Sequence, residues 1–137
     1  MLKIDATGLI LGRMCTHVAK RLLNGEDIVV VNAEGAIVTG KRALVYKEYF
    51  DRRSKGKIRK GPYYPRTPDQ ILKRTVRGMV PYQKPHGREA MKHLMVYIGV
   101  PKEMAKEKFE TIADASSEDV VEFVTLEDLS RTLGATI

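Results

Sequence analysis

Four consecutive β-branched residues, Ile28-Val29-Val30-Val31, stand between Asp27 and Asn32. A strand with one face in water alternates apolar and polar residues, so a run with no polar member is suited to burial on both faces, as in a parallel sheet. Parallel neighbours need a crossover, usually a helix. The sequence supplies one: between Leu9 and Leu23, residues Ile10, Met14, Val18 and Leu22 recur at helical spacing, with Arg13, Lys20 and Arg21 between them. Leu2 to Asp5 precedes it as a short strand with a Thr7-Gly8 turn, and Asn24-Gly25 follows with residues that tolerate a left-handed C-cap. A βαβ unit closes at Asn32.

Further along, Ala36 to Thr39 predicts a third short strand and Lys41 to Tyr49 a second helix. From Asp51 to Arg66 the apolar periodicity stops: seven Lys or Arg, two glycines and two prolines accompany one aliphatic residue, Ile58. Such a segment cannot bury a core of its own and reads as an extended basic loop. Thr67-Pro68-Asp69-Gln70 then carries the signature of a capping box with Pro at the first helical position, opening a helix that ends near Gly78 and Pro81. Arg88 to His93 predicts a short helix, Leu94 to Ile98 a fourth strand, and Val120 to Val124 an extended stretch before a short helix capped by Thr125. At 137 residues, one core and one domain are expected.

Charge is unevenly placed. Met1 to Thr39 is balanced, Gly40 to Met95 holds sixteen basic residues against four acidic for a net of +12, and Val96 to Ile137 holds four against nine, forming an acidic tail from about residue 102 to residue 137. Cations packed at that density repel one another unless a polyanion lies opposite them and releases its own counterions. The middle third is therefore the expected working surface.

Enzyme chemistry finds little footing. Gly35-Ala36-Ile37-Val38-Thr39-Gly40-Lys41 has phosphate-loop spacing, but Arg42 stands where a magnesium-binding hydroxyl belongs, and the interior is a stiff β-branched run. Gly8 and Gly12 lack the close glycine pair of a dinucleotide turn. Cys15 is the single cysteine, which excludes an intramolecular disulfide and a thiolate zinc cage and suits a reducing cytosol; two residues from it on a helix, His17 points elsewhere. His86 and His93 have only Glu89 near them as a further ligand. No catalytic residue, metal or cofactor is expected, nor a membrane span or secretory leader.

Among polyanions, DNA is disfavoured because no helix-turn-helix, zinc-finger or basic-zipper pattern accompanies the basic helix. Structured RNA fits better: irregular basic loops can read phosphates and shape, and Tyr63, Tyr64 and Tyr82 can either stack on bases or pack beneath the loop.

A family likeness rests on Ile4-Asp5-Ala6-Thr7-Gly8-Leu9-Ile10-Leu11-Gly12-Arg13, on Val29-Val30-Val31-Asn32-Ala33-Glu34 with Val38-Thr39-Gly40-Lys41, and above all on Arg66 to Met79 followed by Pro81-Tyr82-Gln83-Lys84-Pro85. From Ile4 to Tyr97 the chain resembles the universal large-subunit ribosomal proteins of the L-thirteen family. It is most similar to the archaeal and eukaryotic branch, since Leu22-Leu23-Asn24-Gly25-Glu26 passes almost directly into the strand. His86 departs from the basic residue usual before Gly87 in archaeal relatives.

The resemblance implies a three-layer α/β/α fold with a small, largely parallel central sheet. It also implies a non-enzymatic place on large-subunit rRNA during early assembly, among neighbouring ribosomal proteins in the cytoplasm, with no small-molecule substrate. Carried over, it puts Lys41 and Arg42 at a helix N-terminus, and Arg52, Arg53, Lys55, Lys57, Arg59 and Lys60 on the loop. Arg66, Lys73, Arg74 and Arg77 fall on and beside the capped helix, with Lys84, Arg88 and Lys92 beyond it; His86, which departs from the family pattern, is a further RNA-binding candidate among them.

Overall fold

In the computed structural model, which describes residues 2–56, 59–61, 63–117 and 120–136, strand β2 (Ile28–Val31) is buried at all four positions. It lies between β1 (Leu2–Asp5) and β4 (Leu94–Val96) in a three-stranded parallel sheet, with Ile28 opposite both Leu2 and Leu94. Successive strand side chains point to opposite faces. Ile28 and Val30 thus join the main core, while Val29 and Val31 are buried on the other side.

The crossover from β1 to β2 is α1 (Leu11–Leu23), whose Leu11, Met14, Cys15, Val18, Ala19 and Leu22 form one buried stripe. The remaining helices are α2 (Arg42–Ser54), α3 (Pro68–Arg77), α4 (Pro85–Lys92) and α5 (Leu126–Thr132). Together they build the expected α/β/α architecture around the small parallel sheet.

Strand β3 (Ile37–Thr39) pairs antiparallel with β5 (Phe123–Thr125) in a second small sheet, Val38 opposite Val124. Three local expectations change. Helix α2 continues through Asp51, Arg52, Arg53 and Ser54, so the irregular segment begins only at Lys55. Helix α4 starts at Pro85, three residues before the expected Arg88, because Pro85 sits at its first turn with the fixed φ a helix start requires. At α3 the Pro is in place, but Thr67 makes no side-chain cap hydrogen bond, unlike Thr125, whose hydroxyl accepts from the Asp128 N–H.

The acidic tail is part of the fold. Glu110 bridges to Ile4 beyond the outer edge of β1, and Ala115, Val124, Leu126, Leu129 and Leu133 all enter the core. These buried residues anchor the tail, while Val121 and Phe123 remain exposed.

Candidate nucleic-acid interface

Helix α3 has two faces of different chemistry. Ile71, Leu72 and Val76 are buried against the core, while Gln70, Lys73, Arg74 and Arg77, spaced i, i+3, i+4, i+7, form the opposite stripe. Helix α4 repeats the pattern: Gly87, Ala90 and Met91 are buried, and Arg88 and Lys92 flank Met91. The two stripes, together with Tyr82 from the connecting turn and Tyr63 and Pro65 from the irregular segment, line an open groove of about 510 Å³. It holds five cations and no carboxylate among its lining residues.

Gly87 lets the two helices approach. A Cβ there would overlap the Pro81 carbonyl and the Tyr82 N–H, so α4 rests directly on the backbone of the turn that follows α3. Beside it the Arg77 guanidinium lies 4.0 Å over the Tyr82 ring, and Arg88 donates to the Gln83 carbonyl at 3.4 Å. Lys92 pairs with Glu89 at 3.0 Å.

Two helix N-termini have cations where a stable isolated helix would place acids. Neither α2 nor α4 has an acidic residue in its first turn; instead α2 begins with Lys41 and Arg42, and α4 with Lys84, His86 and Arg88, all exposed. The positive end of a helix dipole already attracts anions, and added cations strengthen that attraction at some cost to the helix.

At the other end of α2 the picture is different. Arg52 and Arg53 occupy its last turn, not the loop. Arg52 pairs with Glu48 at 2.5 Å and lies over the rings of Tyr49 and Tyr64 at 4.9 and 5.9 Å. Arg53 donates to the Tyr64 carbonyl at 2.6 Å. Desolvation and the nearby Arg66 both lower the Arg53 pKa, which marks a close pair of like charges. Tyr64 meets Tyr49 edge to face at 6.0 Å, so it packs beneath the segment, whereas Tyr63 is 66% exposed at the groove. Lys55, Arg59 and Lys60 are exposed along the irregular stretch, and Lys57 lies outside the described residues.

Residue spacing could have revealed two further groove members. Gln70 belongs to the cationic stripe by its i, i+3 relation to Lys73, and Met91 lies between Arg88 and Lys92 as an apolar floor, 8% exposed. Pro65 carried no such signal.

The places where an α/β enzyme would act are otherwise engaged. At the carboxyl ends of β1 and β2, Asp5 Oδ1 accepts from the Thr7 N–H, the Thr7 hydroxyl and the Asn32 amide. Burial pulls the Asp5 pKa upward, but those hydrogen bonds outweigh it and hold the carboxyl below its ordinary value. Within the glycine-spaced stretch, Ile37–Thr39 is committed to β3, and the Gly40 N–H donates to the Glu122 carbonyl. Cys15 is buried, with desolvation pushing its thiol pKa up to about 12. His17 faces Asp114 and His93 faces Asp27. Among the described residues no helix is long and apolar enough to cross a membrane.

Residues 1–103 match the family model described as Ribosomal protein L13. The chain is 51% identical over 134 residues to the large ribosomal subunit protein uL13 of Archaeoglobus fulgidus, covering 96% of this chain and 86% of the relative. It is 46% identical to the protein of the same name from Picrophilus torridus, over 99% of each chain. Against that of Methanosarcina barkeri it is 48% identical, over 98% of this chain and 99% of the relative.

Proposed function

The chain belongs to the ribosomal protein L13 family, structural constituents of the large ribosomal subunit, and from that premise we propose how this member works: it binds large-subunit rRNA through the α3–α4 groove and the two cation-bearing helix N-termini, and helps the RNA fold early in assembly. The observation that carries the reading is a groove with five cations and no carboxylate. Enzymatic activity has no part in it. The protein acts in cytoplasmic ribosomes, with neighbouring large-subunit proteins on its remaining surface.

Mechanistically, rRNA helices brought together by tertiary folding repel through their phosphates. Lys73, Arg74, Arg77, Arg88 and Lys92 in the groove, Lys41, Arg42, Lys84 and His86 at the helix starts, and Lys55, Arg59, Lys60 and Arg66 between them supply positive charge on an α/β frame, and Lys57 adds its charge to the same stretch of sequence. Counterion release drives the association, and the folded helices hold most of the donors in place beforehand.

Titration of the purified chain with large-subunit rRNA and with ATP across a range of salt tests the reading. The expected result is tight rRNA binding whose affinity falls steeply with salt, and no binding of ATP. Magnesium-dependent ATP binding with no preference for rRNA would overturn it.

A further inference from the structure

The phosphates of a duplex lie on its convex outside, so electrostatics alone requires cations on a surface the duplex can rest against, not a small hollow with apolar walls. The α3–α4 groove is concave and its lining is mixed. Met91 forms a nearly buried apolar floor, Pro65 and the Tyr63 ring add further apolar surface, and Lys73, Arg74 and Arg88 are among the surrounding cations. Its volume of about 510 Å³ falls within the roughly 300–1,000 Å³ of pockets that enclose small organic ligands. Neither the Lys73 nor the Arg74 side chain has a hydrogen bond or ion pair among the described residues.

Resting on the RNA-binding reading, we propose that this groove is a pocket for one unpaired nucleotide of rRNA, its base against Tyr63, Pro65 and Met91 and its flanking phosphates against Lys73, Arg74 and Arg88. A base inside a helix keeps both faces stacked and cannot use an aromatic ring or an apolar floor. An unpaired base can use both, since every base has a π face and stacking tolerates any sequence. The Arg77–Tyr82 stack lies in the wall of the groove, and no carboxylate is among the lining residues, although Glu89 pairs with Lys92 at its edge.

The test is competition against labelled large-subunit rRNA on the full chain, using short single-stranded oligoribonucleotides and duplexes of the same sequence. Single strands are expected to compete at least about tenfold better than duplexes. Tyr63→Ala should weaken the single strand by roughly five- to a hundredfold, the range of base–aromatic stacking, with the salt dependence unchanged, while Tyr63→Phe should restore binding. Lys73→Ala should instead flatten the salt dependence, lowering its slope by about 0.7 for each phosphate no longer met. Equal competition by duplex and single strand, or an unaffected Tyr63→Ala, would overturn the pocket while leaving rRNA binding standing. Failure to bind rRNA at all would overturn the parent reading as well.

Discussion

Helices α2 and α3 are both rich in cations, yet the structure uses those cations differently. Only Val45 and Tyr49 of α2 are buried, and the two arginines of its last turn are engaged by neighbours, Arg52 by Glu48 and two tyrosine rings and Arg53 by the Tyr64 carbonyl, while Arg42 at its exposed start lies 3.5 Å from Asp128. Helix α3 buries Pro68, Ile71, Leu72 and Val76 and leaves Lys73 and Arg74 unpaired among the described residues. One helix is held by its hydrophobic face and can turn its charge outward. The other lacks such a face and is held partly by its charge. A count of Lys and Arg therefore overstates the cations available to a polyanion.

The sharpest way to break that contrast is to remove the hydrophobic anchor of α3. Leu72 is fully buried, so Leu72→Ala should cost about 2–5 kcal/mol, read as a lower denaturant midpoint. Val45→Ala on α2 should cost less, since a smaller side chain leaves a smaller cavity on a helix with fewer buried neighbours. Cys15 reports the same event independently, because its thiol lies 3.9 Å from the Leu72 carbonyl and burial pushes its pKa up to about 12. Alkylation of the native protein near pH 8 should be slow, and Leu72→Ala should accelerate it. Equal destabilisation by the two variants would mean that α2 is anchored as firmly as α3.

A smaller effect is expected at the junction behind the groove. Gly87→Ala places a methyl group against the Pro81 carbonyl, which is backbone and cannot swing aside. The expected cost is about 1–3 kcal/mol, with α4 displaced from α3 and rRNA affinity reduced through misplaced Arg88 and Lys92. Unchanged stability would show that the turn from Val80 to Lys84 yields easily, and that the groove is less rigid than its packing implies.

Much of this was legible in the sequence, for physical reasons that differ by region. The uninterrupted Ile28–Val31 run could only be a doubly buried strand, and the apolar spacing of α1 could only face one way. Polar and charged residues carry weaker backbone instructions, which is why Asp51 to Ser54 read as loop although they complete α2, with Arg52 held by Glu48 one turn away. The pairing of β3 with β5 joins residues more than eighty positions apart, a distance over which local patterning says nothing. For the site, residue type marked the cations and tyrosines, but which of Tyr63 and Tyr64 faces outward depends on Tyr49, a partner supplied by another helix.

The smallest effects decide whether the charges of α2 and α3 really differ in use. Arg52→Ala removes an exposed ion pair worth about 0.3–0.5 kcal/mol and ring contacts worth about 0.5–1 kcal/mol, so melting should fall by a few degrees at most. Its effect on the salt dependence of rRNA binding should be slight, because Glu48 already offsets its charge. Lys73→Ala should do the reverse, leaving melting unchanged while reducing the salt slope by about 0.7–0.9 for the phosphate it no longer meets. Should Arg52→Ala reduce the slope as much as Lys73→Ala, the Glu48 and tyrosine contacts must open when RNA arrives. Arg52 and Arg53 would then be a reserve of binding charge held in the free protein by weak internal partners, and the distinction between the helices would belong to the free state alone.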